Sequence, residues 1–159
     1  AFSLSPKMRF DLTVSEFTRE LAIGNELLVF DSHTWRPYCH VLDFARLIQI
    51  VIEAPKDKVS FEVFYIGGDI NNTTKQMLVD NILQKIPTGN VRYQEHGRDP
   101  RNYRVSFRKV KETLGFEPKY TIQDGIDELV DAIENHVFDH VIENRKFFGN
   151  YEISYRIPS

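Results

Sequence analysis

Apolar residues along the chain fall into short groups whose spacing alternates between helical and extended periods. Phe10, Val14, Phe17 and Leu21 are separated by 4, 3 and 4 positions, drawing one stripe down a helix that Gly24 can close in a left-handed conformation. Residues 27–30, Leu-Leu-Val-Phe, are too few for a helix and lie between Gly24-Asn25 and Asp31-Ser32, so they predict a strand. Val41, Phe44, Ala45, Ile48 and Ile52 mark a second helix that ends near Ala54-Pro55, because the residue before a proline avoids the helical region. Residues 60–66 are rich in aromatic and β-branched side chains, with apolar groups on both faces from Val63 to Ile66. They predict a strand of a sheet interior.

Thr73 with Gln76 three positions later has the form of a capping box, which would start a helix carrying Leu78 or Val79, Ile82, Leu83 and Ile86. Val91, Tyr93 and Glu95 alternate with polar neighbours as a half-exposed strand. Ser106 can cap a short helix to Leu114, with Gly115 as its stop and Pro118 preventing continuation. Thr121 caps a further helix through Ile122, Ile126, Leu129, Val130 and Ile133. Gly125 inside it costs about 1 kcal/mol relative to alanine, which packing of the stripe must offset. After Asn135 the pattern weakens: residues 136–142 can prolong the helix, and residues 145–159 have no clear period. The organisation predicted is one compact α/β unit over residues 1–135, short strands alternating with helices, and a C-terminal extension over 136–159.

Composition narrows the function classes. A net charge of -3, from 20 basic and 23 acidic side chains, argues against a general nucleic-acid or membrane-surface binder, whose affinity rests on excess Lys and Arg. One cysteine permits no internal disulfide and suits a reducing cytoplasm. No apolar run approaches the ~20 residues that span a bilayer, and residues 1–10 lack the hydrophobic centre of a signal peptide. A start at Ala1-Phe2-Ser3-Leu4, without methionine, is what a trimmed or partial polypeptide would show.

The stretch richest in chemistry is Thr34-Trp35-Arg36-Pro37-Tyr38-Cys39-His40-Val41-Leu42-Asp43-Phe44-Ala45. It sets Arg36 in a short turn between the 27–30 strand and the second helix, beside aromatic residues that limit its freedom. A guanidinium fixed at such a junction can clamp a phosphate or carboxylate; an ion pair with Asp31 or Asp43 is the plainer alternative. His136 and His140 are four apart, yet no cysteine or third ligand at a usual spacing joins them, so no metal site is expected. Cys39 and His40 are sequence neighbours that point apart, a poor nucleophile and base. Asp69-Ile70-Asn71 is explained by turn chemistry rather than cation binding.

With residues 27–30 before it, this stretch resembles the strand, arginine and helix run in the C-terminal half of the extended short-chain dehydrogenase/reductases, the NAD-dependent nucleotide-sugar epimerases and dehydratases. Three other stretches agree with that family in order and approximate spacing. They are Ser5-Pro6-Lys7-Met8-Arg9-Phe10-Asp11, Val63-Phe64-Tyr65-Ile66-Gly67-Gly68, and Asp99 to Ser106 leading into Leu114-Gly115-Phe116-Glu117-Pro118. The resemblance runs from the first residue to about Asn135, and it implies the C-terminal, substrate-binding part of a Rossmann-like α/β fold.

For individual residues, the resemblance implies that Arg36 contacts the diphosphate of a nucleoside-diphosphate sugar. Arg101 and Tyr103 would face the same phosphates from a second basic loop, where Arg98 and Arg104 compete for the role. Val29 and Phe30 would hold the nucleobase between backbone groups and an apolar side chain, with core packing the alternative for the two side chains, and Arg9 would lie near the sugar, although the asparagine that many relatives hold near Asp11 or Ser15 is not there. The family's glycine-rich fingerprint and its catalytic tyrosine with a lysine four positions on are both missing. None of the seven tyrosines has that lysine, and Asp69-Ile70-Asn71 after Gly67-Gly68 supplies no further glycine. The resemblance therefore implies NAD bound mainly by an absent N-terminal Rossmann half, no catalytic residue in this chain, no turnover by it alone, and a homodimer as the full enzyme. The alternative is a non-catalytic nucleotide-sugar-binding or assembly module. Either way, Arg36 and the 98–104 loop must meet.

Overall fold

The computed structural model describes residues 1–97, 99–139 and 148–149. Helix α1 (Thr13–Ala22) buries Val14, Phe17 and Leu21, and the chain leaves it through Gly24 at φ +79°, a left-handed turn that only glycine enters freely. Strand β1 (Leu27–Phe30) follows, with Leu27 and Val29 buried and Leu28 and Phe30 facing outward. After β2 (Trp35–Pro37) come α2 (Val41–Glu53) and the single-turn α3 (Lys56–Val59). A 3-10 turn over Asp69–Asn71 leads into β3 (Asn72–Thr74), α4 (Lys75–Lys85) and β4 (Val91–Gln94). Helices α5 (Arg108–Leu114) and α6 (Ile122–Glu134) complete the order.

Strand β4 pairs parallel with β1, Leu27 opposite Val91 and Phe30 opposite Gln94, as expected for strands joined through intervening helices. Strands β2 and β3 pair antiparallel, Arg36 opposite Thr73. The main core forms where α1, α4 and α6 pack on one another and on β1, around Phe2, Phe17, Val29, Leu78, Ile82 and Ile126. Gly125 has its reason there. A Cβ at that position would collide with the Phe2 ring, so the helical propensity lost to glycine is exchanged for close approach of an aromatic side chain. A second core joins α2 to α5 through Leu47, Phe107, Val110 and Phe116.

Four expectations need correction. Residues 60–66 form no strand: the chain turns at Ser60 and Phe61, the latter at φ +61°, and continues without regular structure, with Phe64 and Ile66 half-buried against α2, while Val63 and Tyr65 are 74% and 63% exposed. A strand buried on both faces needs hydrogen-bonded neighbours, and none lies beside it among the described residues. The stripe expected on α2 is mostly outward. Ile48 and Ile52 are exposed, and the fully buried positions are Asp43 and Leu47. Helix α4 starts one residue later than expected: Thr74 is its cap, accepting from the Met77 N–H at 3.1 Å, while Thr73 belongs to β3. Helix α6 stops at Glu134, and His136 at φ +60° turns the chain away; residues 140–142 lie outside the described residues. Thr121 caps α6 as expected, in a reciprocal box with Asp124.

Candidate functional site

Arg36 sits inside β2 rather than in a turn, because the buried polar residues Asn72, Thr73 and Thr74 form a strand that pairs with it. Its side chain is only 12% exposed. Nη1 donates to the Trp35 carbonyl at 2.7 Å, and the guanidinium lies 5.5 Å from the centre of the Tyr103 ring. Both contacts restrict its orientation. Nη2 then points at Asp99, donating to Oδ2 at 3.0 Å. Neither acid named above as a plain partner is its partner. Asp43 is fully buried and takes the N–H groups of Lys119 and Tyr120 together with Arg46, whereas Asp31 takes the N–H groups of His96 and Gly97, each at 2.8 Å.

The second basic loop arrives at the same place. Arg101 donates to Asp99 through Nε and Nη2, both at 2.8 Å, and through its backbone N–H at 3.1 Å. The Arg101 bonds, and secondarily Arg36, hold the Asp99 carboxyl well below the usual carboxylate range; Asp99 in turn raises the Arg101 guanidinium. The loop is fastened to β2 on both sides of the cluster. The Tyr103 N–H donates to the Trp35 carbonyl at 3.3 Å, the Trp35 N–H donates to Asn102 Oδ1 at 2.9 Å, and the Arg104 guanidinium stacks 4.4 Å over Trp35. Asn72 extends the fastening by donating to the Val105 carbonyl and accepting from its N–H. Arg36, Arg101 and Tyr103 are thus brought together, and Arg104 is occupied elsewhere. Arg98 lies outside the described residues.

The other candidates separate. Val29 is wholly buried in the main core, so of the two expected modes of base contact its side chain serves the core and only its backbone is left for a nucleobase. Phe30 is 37% exposed, and its carbonyl accepts from Lys75 Nζ at 2.7 Å. Arg9 forms a bidentate pair with Asp11, both bonds 2.6 Å, and shares no hydrogen-bond partner with Arg36 or Arg101 among the described residues. Asp99 and Asn102, which meet the arginine cluster and its strand, were missed. Only the excess of arginine around Asp99 could have signalled the first.

Cys39 is buried, which pushes its thiol up to about 12, and His40 has a structural role. The His40 Nδ1 accepts from the Leu42 N–H as the cap of α2, Nε2 faces Glu128 at 3.3 Å, and the ring stacks on Tyr120. His136 pairs with Asp139 at 3.1 Å, while His140 lies outside the described residues. Among the described residues, no cluster of His, Cys, Asp and Glu is placed to hold a metal, and no helix is long and apolar enough to cross a membrane. Asn71, after Asp69, is buried and bonded to the Tyr120 carbonyl and the Ile122 N–H, a tie between segments.

A cavity of about 620 Å³ lies between Gly67-Gly68, α5 and Phe116 to Pro118; neither Arg36 nor Arg101 lines it. Gly67 abuts the Phe107 ring and Gly68 abuts Pro118, so these glycines serve close packing, and they lead only into the single 3-10 turn Asp69–Asn71. Gly67 and Gly68 therefore do not form the glycine-rich approach to a pyrophosphate by which a dinucleotide is held.

No protein-family model matches the chain. It is 32% identical over 120 residues to a dTDP-glucose 4,6-dehydratase from Streptomyces niveus, across 72% of this chain and 34% of that protein. Its fold superposes on a dTDP-glucose 4,6-dehydratase from Bacillus anthracis in complex with NAD, with a TM-score of 0.68 and 27% identity. The chain belongs to the extended short-chain dehydrogenase/reductase family. That match covers 84% of this chain and 42% of the solved one. Another extended short-chain dehydrogenase/reductase, the UDP-glucose 4-epimerase from Thermotoga maritima with UDP-glucose, matches with a TM-score of 0.66 and 27% identity over 79% of this chain and 40% of that one. The chain spans about a third of the length of its curated relative and about two fifths of these solved relatives.

Proposed function

We propose that this chain is the substrate-holding part of a nucleotide-sugar dehydratase or epimerase, with residues 1–135 as the substrate portion and 136–159 as an extension. The observation that carries the reading is the convergence of Arg36 and Arg101, from segments far apart in sequence, on one pair of carboxylate oxygens. A bidentate Arg101 and a single nitrogen of an oriented Arg36 around one anion suit a diphosphate linkage. Arg36 is oriented before any ligand arrives, which lowers the ordering cost of binding. The half-exposed Phe30 is available to the nucleobase, Tyr103 to the phosphates, and Arg9 to the sugar side.

Hydride chemistry would belong to NAD and a Rossmann half encoded outside these 159 residues, since the glycine fingerprint and the tyrosine-lysine pair are not in the sequence. That half would cover the exposed apolar residues of α2 and the 60–66 segment, in a cytoplasmic enzyme that dimerises. The contribution of the present residues is positional. Fixing the diphosphate and base delivers the sugar to a reactive group elsewhere, an effect worth up to roughly 7–11 kcal/mol in effective-molarity terms.

Calorimetry with UDP-glucose and dTDP-glucose tests this. Arg36→Ala removes a charge-assisted contact worth about 1.5–3 kcal/mol, so affinity should fall roughly 10- to 100-fold. Unchanged affinity would refute the clamp. The 159-residue chain should produce no steady NADH signal with any nucleotide sugar, and a sustained signal would refute the division of labour.

A further inference from the structure

Asp99 is not an incidental neighbour of the two arginines. Its Oδ1 takes the Arg101 Nε and backbone N–H, and its Oδ2 takes Arg101 Nη2 and Arg36 Nη2. A carboxylate offers about four acceptor positions, and all are used by the groups assigned to the ligand. We infer that Asp99 is a built-in competitor for the anion site: its carboxylate stands between Arg36 and Arg101 where a ligand phosphate would bind, and a nucleoside diphosphate must displace it. The inference rests on the diphosphate reading above and adds the regulation of that site.

Charge and exposure support the exchange. Two guanidiniums against one carboxylate leave a single positive charge to attract a ligand. A diphosphate bearing two negative charges with Asp99 still in place would put like charges well within a Debye length of each other. The Asp99 side chain is 39% exposed, whereas that of Arg36 is 12% exposed and held from behind. Asp99 is therefore the member free to leave, and Arg36 the member that stays. Arg101, 69% exposed, can turn from the carboxylate to a second phosphate. The loop itself need not detach, because Asn102, Tyr103 and Val105 anchor it to β2 and Asn72 independently of Asp99. A site closed in this way resists single weak anions and yields to a ligand that offers two adjacent phosphates and a base.

The test compares the full chain with Asp99→Asn and Asp99→Ser, the serine variant removing any residual amide contact with the arginines. Calorimetry with UDP and dTDP should show affinity about tenfold tighter in both variants. In the ligand-free protein, an arginine-directed dicarbonyl reagent mapped by mass spectrometry should modify Arg36 and Arg101 several-fold faster than in the unaltered chain. If UDP and dTDP bind the unaltered chain, and both variants bind equally or more weakly, the competitor role is overturned while the diphosphate reading stands. If neither nucleotide binds any of the three proteins, the diphosphate reading fails and the competitor role falls with it.

Discussion

Helices α2 and α6 have the same length, 13 residues, and opposite fates. Helix α2, Val-Leu-Asp-Phe-Ala-Arg-Leu-Ile-Gln-Ile-Val-Ile-Glu, has the more apolar sequence, yet only Asp43 and Leu47 are buried. Helix α6 alternates acids with its apolar positions and buries Ile122, Gly125, Ile126, Leu129, Val130 and Ala132. The difference lies in what each helix faces. Helix α6 packs on α1 and α4, whereas α2 meets α5, the 60–66 segment and the 117–120 loop and leaves Leu42, Ile48 and Ile52 exposed. Apolar content thus reports the surface a helix is written for, and burial reports the surface this chain supplies. Leu42, Ile48 and Ile52 are exposed on α2, and Ile48 and Ile52 line an apolar groove with Phe64 and Ile66.

The comparison can be broken most forcefully by matched truncations. Ile126→Ala in α6 should cost about 2–5 kcal/mol in urea unfolding, whereas Ile52→Ala in α2, 77% exposed, should stay within about 0.5 kcal/mol. Equal losses would mean that α2 contributes as much to this fold as α6 does. Gly125→Ala is subtler. Propensity alone would stabilise α6 by about 1 kcal/mol, but the collision with Phe2 should reverse the sign to a loss of about 1–3 kcal/mol. A stabilised variant would show that the Phe2 contact is soft.

Thr121→Ala should cost about 1 kcal/mol through the lost cap. It also carries a pH signature. The Thr121 N–H and hydroxyl lower the Asp124 carboxyl, so this contribution is present above the ordinary carboxylate pKa and is lost as pH falls toward the lowered folded value. Thr121→Ala keeps the backbone N–H, the larger cause, and removes the hydroxyl, so it should flatten the acid limb of the stability curve in part; an unchanged limb would mean the hydroxyl contributes nothing to it. Val63→Thr should leave the urea midpoint within error while reducing binding of a hydrophobic dye such as ANS, because its side chain covers nothing in this chain.

Much of the main core was legible from residue order. The 4-3-4 spacing before Gly24, the bounded 27–30 run and the Thr121 cap each name a local cause that the structure retains. What escaped was non-local. The three-residue strands β2 and β3 contain Pro37 and four polar residues, Arg36 among them, with no alternation to announce them, so Arg36 read as a turn residue. The 60–66 segment carries the right residues for a strand, but pairing depends on a neighbour, and sequence periodicity is silent about which neighbours are at hand. In the site, Arg36 and the 99–105 loop were legible as separate basic elements. Asp99 was not, because an acid's partner is set by the approach of two loops rather than by its own surroundings in the chain.

The most direct measurement of joint anion binding is a double-mutant cycle on nucleotide affinity. The affinities of the unaltered chain, Arg36→Ala, Arg101→Ala and the double variant for dTDP-glucose should show a coupling of about 0.5–3 kcal/mol between the arginines, as residues sharing one ligand group do. Losses that add without coupling, or an Arg101→Ala variant that binds as well as the unaltered chain, would contradict a single anion held by both.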